Sequence, residues 1–189
     1  MITAETIISI FLGVGLAASV GFRVFLPLFV LSLAAHFELW QLNESWLWVG
    51  SLSAVIILGV ATLVEVSAYY IPVVDNFLDS IAVPLAAVAG TAVMVSTVAD
   101  LSPVITWALA IIAGGGTAAA ISGTTSAARL TSTATTAGFA NPVVATLETG
   151  TSLVMSVLSV FLPVLAFILA LVILVLLFRF FKKFKKRNS

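Results

Sequence analysis

Six long apolar segments, with almost no charged residues inside them, constrain this chain more than any other feature. A helix needs roughly 20 mainly apolar residues to span a bilayer, and each segment meets or approaches that length. The segments cover residues 6–35, 46–70, 81–98, 103–122, 142–161 and 163–181. Only 8% of the residues are charged, against about a quarter in a soluble domain. The sequence therefore predicts an all-α membrane protein of about six transmembrane helices, formed by residues 1–181 as a single domain.

A basic tail at residues 182–189 sets the expected orientation. It holds five of the eight basic residues, namely Lys182, Lys183, Lys185, Lys186 and Arg187. A Lys/Arg cluster directly after a span stays on the cytoplasmic side, and with six crossings the N-terminus would be cytoplasmic too. The first apolar run is too long for one span and is interrupted by Gly21, Arg23 and Pro27. It could therefore fold back, which would place the N-terminus on the opposite side.

Composition argues against several classes of function. The chain has no cysteine, so it cannot form a disulfide or a thiolate metal site. Its single histidine, His36, lacks the spaced partner of a helical metal motif. The run Gly114–Gly116 is not followed by the Lys-Ser/Thr of a phosphate-binding loop. We therefore expect no metal, no cofactor, no nucleic-acid binding and no enzymatic activity. The expected partners are membrane lipids, an ion or small solute, and further copies of the chain in a homo-oligomer.

Ionisable residues inside the apolar segments are the first candidate site residues. A charged group at the centre of a membrane helix costs about 2.5–3.5 kcal/mol, so each one needs a reason to be there. Glu65 and Glu148 could bind a proton or a cation, or could be structural carboxyls that are protonated or paired with arginine. Arg23 and Arg129 could neutralise a carboxylate or hold an anionic group. They could also be interfacial arginines that extend to lipid phosphate.

Two aspartates follow Pro72, which is predicted to end the second helix. Asp75 can cap the helix that comes next, because its short side chain can accept from free backbone N–H groups. Asp79 lies four residues later and so on the same face of a helical turn. This pair could bind a cation or meet Arg129, which is expected on the same side of the membrane.

The stretch Gly114–Thr136 consists almost entirely of small and hydroxyl-bearing residues. Small residues let helix backbones approach closely, and hydroxyls can satisfy non-helical backbone that lines water at membrane depth. One interpretation is a broken or re-entrant segment that lines a solute path. The alternatives are tight packing or a polar cytoplasmic loop. The predicted lining residues are Gly21, Gly116, Gly123, Thr124 and Thr125.

A weak internal repeat relates two halves, residues 1–99 and 100–181. At an offset of 102, Gly21 falls on Gly123, and each half then places a glutamate in a helix that contains Ala-Thr-Leu. Three spans per half would make the second half inverted, as in many secondary transporters with interrupted helices. Chance similarity is the alternative in a composition this biased.

The motifs resemble those of a family of small bacterial membrane proteins known only as domain of unknown function 4126. The resemblance covers nearly the whole chain, and its most specific part is the Pro-x-x-Asp-x-x-x-Asp motif from Pro72 to Asp79. Further matches are Gly15–Ser19, Glu65, Ala86–Gly90, Gly116–Arg129, Phe139–Pro142 and Glu148. The family often has a basic residue before the Ile-Pro pair, where this chain has Tyr69 and Tyr70. The resemblance implies a shared fold in the bacterial inner membrane and no particular activity.

Two functions remain open at this point. The first is a small transporter or channel in which Glu65, Glu148 and Arg23 line a midplane site and Asp75, Asp79 and Arg129 form a cytoplasmic gate. The second is a non-transporting scaffold or an accessory subunit of a membrane complex. A lipid-processing enzyme is the least favoured alternative, since no polar cluster at the interface is evident.

Overall fold

The computed structural model describes residues 3–99 and 101–187, and within these ranges the chain is helical and has no β-strand. The side chains of the predicted basic tail lie outside the described part. The α-helices are α1 (Ala4–Val20), α2 (Phe25–His36), α3 (Leu52–Ala68), α4 (Pro72–Thr97), α5 (Pro103–Leu109), α6 (Gly116–Thr136), α7 (Asn141–Phe161) and α8 (Pro163–Arg187). A 3₁₀ helix, Glu44–Gly50, precedes α3, and a π-helical turn, Ala110–Gly115, joins α5 to α6.

Several of these helices are suited to a membrane. Among the described residues, Phe77–Thr97, Pro103–Thr136 and Asn141–Phe161 are each long and apolar enough to cross a bilayer. A fourth crossing results if Glu44–Gly50 and Leu52–Ala68, which are bent by 65°, form one span. Helices α1 and α2 and the described part of α8 are apolar but shorter. The predicted all-helical architecture is confirmed and is compatible with a multi-pass membrane protein, whereas six spans are not confirmed.

The first apolar run folds back as a helical hairpin of α1 and α2. The chain breaks between Val20 and Phe25, where Gly21 ends α1. A single surface cavity is lined by Glu5 and Ser9 near the start of α1 and by residues 38–41, just after α2. The two outer ends of the hairpin are therefore at the same end of the bundle, which we call the N-terminal end. The break lies toward the opposite end.

Helix α1 occupies the centre of the bundle. Every residue from Leu12 to Gly21 is buried, as expected for a helix that is apolar on all faces and surrounded by other helices. Helix α7 runs antiparallel to it, since a Cβ on Gly15 would touch Ser159 and Ser152 donates to the carbonyl of Ser19. A Cβ on Gly15 would also lie 2.9 Å from the Cβ of Ala166. Because Ser159 and Ala166 lie beside the same residue, α8 turns back after Leu162 and starts out parallel to α1.

Helix α3 runs antiparallel to α2, and the two are joined from end to end. Ser32 donates to the carbonyl of Val49 at 2.6 Å, and a Cβ on Gly59 would lie 3.1 Å from the ring of Phe29. At the other end of the pair, the start of α2 lies beside Glu65. Helix α4 then returns toward the N-terminal end, where the N–H of Ala99 donates to Ser9.

Glycines bring α4 very close to the π-helical turn and to α6. A Cβ on Gly90 would lie 2.6 Å from the Cβ of Ala118 and 2.8 Å from the carbonyl oxygen of Gly114. A Cβ on Gly114 would in turn lie 2.5 Å from the carbonyl oxygen of Gly90. Small residues at both positions let the two backbones touch, which is the usual means of packing helices in lipid. Tight packing is thus the structural role of this part of the small-residue stretch.

Three sequence-based boundaries are wrong. Gly123 does not break a helix or begin a loop, because α6 is continuous from Gly116 to Thr136. Pro72 does not end the second helix: it opens α4, where the missing N–H of proline costs nothing in the first turn. Asp75 consequently lies inside the first turn of α4 and does not cap it. Its backbone N–H donates to Ile71, and its side chain turns elsewhere.

The predicted repeat is not confirmed. In each half a helix with a buried glutamate, α3 or α7, is followed by a long helix, α4 or α8. The elements that precede these pairs differ, since one is the α1–α2 hairpin and the other is the continuous helix Pro103–Thr136.

We expect Gly90→Ala to lower the free energy of unfolding by about 1–3 kcal/mol, because the added methyl overpacks the contact between α4 and α6. Gly116→Ala is the matched control, since nothing lies within 4 Å of the added methyl. It should leave stability unchanged or raise it by up to about 1 kcal/mol. Thermal unfolding of the two purified variants in detergent checks this, and equal melting temperatures would contradict the packing described here.

Candidate functional site

Five charged side chains meet inside the bundle, away from its N-terminal end. We call them the ion-pair cluster: Arg23, Asp75, Asp79, Arg129 and Glu148. All but Asp79 are at least 94% buried, and the side chain of Asp79 is 11% exposed. They come from four places in the fold: Arg23 from the α1–α2 break, both aspartates from the start of α4, Arg129 from the second half of α6 and Glu148 from the first half of α7.

Arg129 is the centre of the cluster. Its Nε donates to both carboxylate oxygens of Glu148, each at 3.1 Å, and its Nη2 also donates to Glu148. Its Nη1 donates to Asp75, and Asp79 lies 3.8 Å from its Nε. One guanidinium thus joins α6 to both α4 and α7, using the planar fork of donors that lysine lacks.

Arg23 is the second arginine that binds Glu148. Its Nη1 donates to Glu148 Oε2 at 3.0 Å, its Nη2 to the carbonyl of Ala145 at 2.9 Å, and its Nε to Thr149 Oγ1 at 3.0 Å. The break between α1 and α2 makes this possible, because it turns the chain at Arg23 toward α7. Glu148 therefore accepts hydrogen bonds from two buried arginines.

Asp75 is held by an amide as well as by Arg129. Asn141 Nδ2 donates to Asp75 Oδ2 at 2.9 Å and to Thr133 Oγ1 at 3.0 Å. Both oxygens of Asp75 are therefore bonded, one to a cation and one to an amide. The Oδ1 of Asn141 is buried and has no hydrogen-bond partner among the described residues.

Glu65 lies beside the cluster but is bonded differently. Its two oxygens accept from the backbone N–H groups of Val24 and Phe25, at 2.7 and 3.0 Å. These are free donors at the start of α2, where a carboxylate is favoured by the helix dipole. No salt bridge joins Glu65 to an arginine within the described residues. Within the described residues, its hydrogen-bond donors are therefore backbone N–H groups, not side chains.

Tyr69 packs against both arginines. The guanidinium carbon of Arg23 lies 3.9 Å from the centre of its ring, and that of Arg129 lies 4.3 Å away. A cation over an aromatic ring is attracted by its negative face, and the attraction grows when the pair is desolvated. Tyr69 thus places one aromatic ring against both guanidiniums of the cluster.

The cluster carries more negative than positive groups. Arg23 and Arg129 supply two positive charges, while Asp75, Asp79 and Glu148 supply three negative charges if all are ionised. Burying a charge is expensive unless it is paired. The cluster is therefore neutral only when one carboxyl holds a proton or when a monovalent cation is bound.

The structure joins what the sequence analysis had divided into two sites. Arg129 contacts Glu148 as well as both aspartates, so a midplane site and a separate gate are not distinguishable here. Glu148 lies about 10 Å along α7 from Asn141, the first residue of that helix. The cluster therefore lies toward one end of the bundle. Tyr69, Asn141 and Thr149 were missed, because uncharged side chains give no signal in a chain rich in hydroxyls and aromatics.

The predicted lining residues do not surround one cavity. Gly21 is buried against Ile121 and Ala118, whereas a Cβ on Gly116 would meet nothing within 4 Å. Thr124 and Thr125 donate to carbonyls of their own helix, at 2.9 and 3.0 Å. Gly123 is half-buried near Val83. Gly21 therefore packs closely against α6, and the two threonine hydroxyls are bonded within that helix.

Comparison with known proteins gives one match. A family model described as "Domain of unknown function (DUF4126)" matches residues 10–183, which include the whole ion-pair cluster. No curated protein and no solved structure matches the chain.

We expect Glu148→Gln to lower the free energy of unfolding by about 3–5 kcal/mol, because it leaves two buried guanidiniums without their shared anion. Glu44→Gln is the control, since Glu44 is exposed at the other end of the bundle and a surface change of this kind stays within about 0.5 kcal/mol. Thermal and denaturant unfolding in detergent measure both variants. Similar stability of the two would mean that the pairs around Glu148 do not hold the helices together.

Proposed function

The chain belongs to the DUF4126 family, whose description names no activity, and from the geometry of the ion-pair cluster we propose that it is a small membrane transporter coupled to a proton or a monovalent cation. The observation that carries this proposal is the excess of one carboxylate over the guanidiniums in a buried cluster. A protein that needed the cluster for stability alone would gain as much from apolar packing. Ionisable groups inside a membrane bundle are by default candidates for an ion or proton pathway.

Asp79 is the group that we assign to the coupling ion. Both oxygens of Asp75 and of Glu148 are engaged in hydrogen bonds. Asp79 makes none with the described residues, and its nearest cation is Arg129 Nε at 3.8 Å. It is also the most exposed member of the cluster. A proton or monovalent cation on Asp79 makes the cluster neutral without breaking any other pair.

Binding and release of a proton or monovalent cation at Asp79 would change the contacts of Arg129. When Asp79 is ionised and empty, it competes with Asp75 and Glu148 for one guanidinium. Because Arg129 is the link from α6 to both α4 and α7, a shift in its partners changes how these helices are held together. A change of one charge at Asp79 would thereby shift the balance between two packed arrangements of α4, α6 and α7. Switches of this kind generally work in this way.

A transporter in a closed state fits this geometry better than an open channel. Glu148 is enclosed by two guanidiniums, and Glu65 lines a groove that opens sideways from the bundle. The proposal keeps six crossings in two inverted sets, now as α2–α4 and α6–α8, because each helix of one set runs opposite to its counterpart. Helix α1 is then a further, central crossing, and the total of seven places the two termini on opposite sides. A homo-oligomer in the inner membrane of a bacterium, without enzymatic activity, completes the proposal.

The alternative is a non-transporting scaffold or accessory subunit. The pairing of Arg23 and Arg129 with Glu148 favours it, since charges that satisfy one another need no ligand. A scaffold would co-purify with a larger membrane partner, and its interior would be dry. Cysteine substitutions from Thr117 to Thr136 would then react poorly with aqueous reagents on the inward face of α6.

We expect Asp79→Asn to remove one titrating carboxyl and any flux coupled to it. Infrared titration of purified protein should show a titrating carboxyl band in the wild type that this variant lacks. Proton uptake is then measured in proteoliposomes that contain a pH-sensitive dye and is driven by a potassium diffusion potential. It should be at least tenfold slower with Asp79→Asn than with the wild type. Glu44→Gln is the control and should behave as the wild type does. Identical titration and identical proton movement in wild type and Asp79→Asn would overturn the assignment.

We also expect the two termini on opposite sides of the membrane. The N-terminus of α1 lies at the N-terminal end of the bundle, whereas α8 starts out parallel to α1 and leads away from that end. With the basic tail cytoplasmic, an N-terminal alkaline phosphatase fusion should be active and a C-terminal one inactive. Fluorescent-protein fusions give the reverse pattern as a control. Two cytoplasmic termini would mean that the α1–α2 hairpin does not insert as described.

A further inference from the structure

A groove lies between the part of α3 from Ile57 onward and the part of α4 from Leu78 to Leu85. Its volume is about 400 Å³, and its walls are mostly aliphatic, including Ile57 and Val60 of α3 and Ile81 and Leu85 of α4. These four side chains are between 37% and 66% exposed. In a bilayer the groove therefore opens sideways toward lipid. Its volume lies within the range of about 300–1,000 Å³ that is typical of small-molecule sites.

One end of this lateral groove is polar. Glu65 and Tyr69 line it there, and both are more than 90% buried. The hydroxyl of Tyr69 has no hydrogen bond to any described residue. Glu65 is the one carboxylate near the ion-pair cluster that has no arginine partner in the described ranges. The lateral groove thus leads to a buried carboxyl group that has no salt bridge within the described residues.

We propose that the lateral groove binds a lipophilic monovalent cation, with Glu65 as its counterion, and that such cations are the substrate class. The inference rests on the proposed transport function. The aliphatic walls would hold the apolar body, and the charge of the ligand would form the salt bridge that Glu65 lacks among the described residues. Charge decides between ligands: a lipophilic anion would be repelled by Glu65, and a neutral acyl chain would leave its charge uncompensated in a region of low dielectric constant.

Tyr69 connects this groove to the ion-pair cluster. Its ring lines the groove and at the same time packs against Arg23 and Arg129. A cation that reaches Glu65 is therefore separated from two guanidiniums by one aromatic side chain. Repulsion through Tyr69 would couple occupation of the groove to the pairing of Arg129. Binding at Glu65 and proton or cation loading at Asp79 thereby become linked.

The test uses two probes of nearly the same shape and opposite charge, tetraphenylphosphonium and tetraphenylborate. Their binding to purified wild-type protein in nanodiscs is measured by equilibrium dialysis with radiolabelled ions. We expect saturable binding of the phosphonium only. Glu65→Gln should weaken it at least tenfold, while a glutamine oxygen can still accept one N–H at the start of α2.

A second variant keeps the carboxylate and fills the groove. Ala82 lines the lateral groove, and Ala82→Phe should abolish binding. Ala92→Phe is the matched control on the same helix, because Ala92 lines a different apolar groove beside Trp46 and Trp107. It should bind the phosphonium as the wild type does. This pair keeps the proposal falsifiable if Glu65→Gln does not fold.

Each other outcome has a definite meaning. Equal binding of both probes, or phosphonium binding that survives Ala82→Phe, would overturn the proposed site. A phospholipid that co-purifies with the wild type and is lost in Ala82→Phe, with no phosphonium binding, would show that the groove is a lipid site. Saturable binding without any proton-coupled flux would refute transport and leave the site intact. Flux that depends on Asp79, without phosphonium binding, would refute the substrate class and leave transport intact.

Discussion

The guanidinium of Arg129 is the interaction on which the rest of this structure depends. It lies far along a helix made of small and hydroxyl-bearing residues, which offers little side-chain volume for packing. It reaches Glu148 on α7 and Asp75 on α4, so a single charged group replaces the apolar contacts that such a helix cannot make. In hydrocarbon, where the hydrophobic effect does not drive helices together, hydrogen bonds and close packing must do so. The glycine contacts between α4 and α6 supply the close packing.

The α1–α2 hairpin has a comparable role for the second arginine. A straight helix from residue 4 to residue 36 would have carried Arg23 along the axis of the bundle. The break at Gly21 instead exposes the first N–H groups of α2, and Glu65 accepts from two of them. The same break aims Arg23 at Glu148 and at the carbonyl of Ala145. The short segment between α1 and α2 thus supplies hydrogen-bond donors to two carboxyl groups, those of Glu65 and Glu148.

Sequence reasoning reached the residues of the cluster but not their arrangement. Charges in apolar segments stand out because lipid makes them costly, so Arg23, Glu65, Glu148 and the aspartates were identifiable without coordinates. Helix boundaries were harder to predict. Gly123 lies in a continuous helix because α6 packs closely against α4. Pro72 opens a helix because proline is tolerated in the first turn, where its missing N–H would have no partner in the helix. Tyr69 could not be chosen among the aromatic residues, since its role arises from two arginines distant in sequence.

The position of the ion-pair cluster near one face of the bundle has an electrical consequence. The helix Pro103–Thr136 has 34 residues, or about 50 Å at 1.5 Å per residue, against a hydrocarbon core of about 30 Å. The helix is therefore longer than the core is thick, and Arg129 lies about 10 Å before its last residue. In the proposed transporter, with the last turns of this helix outside the core, most of a transmembrane voltage would fall between the cluster and the far surface. An ion arriving from the near side would then cross little of that field, whereas one arriving from the far side would gain or lose nearly the full 2.3 kcal/mol per 100 mV, on the order of a fiftyfold change in occupancy.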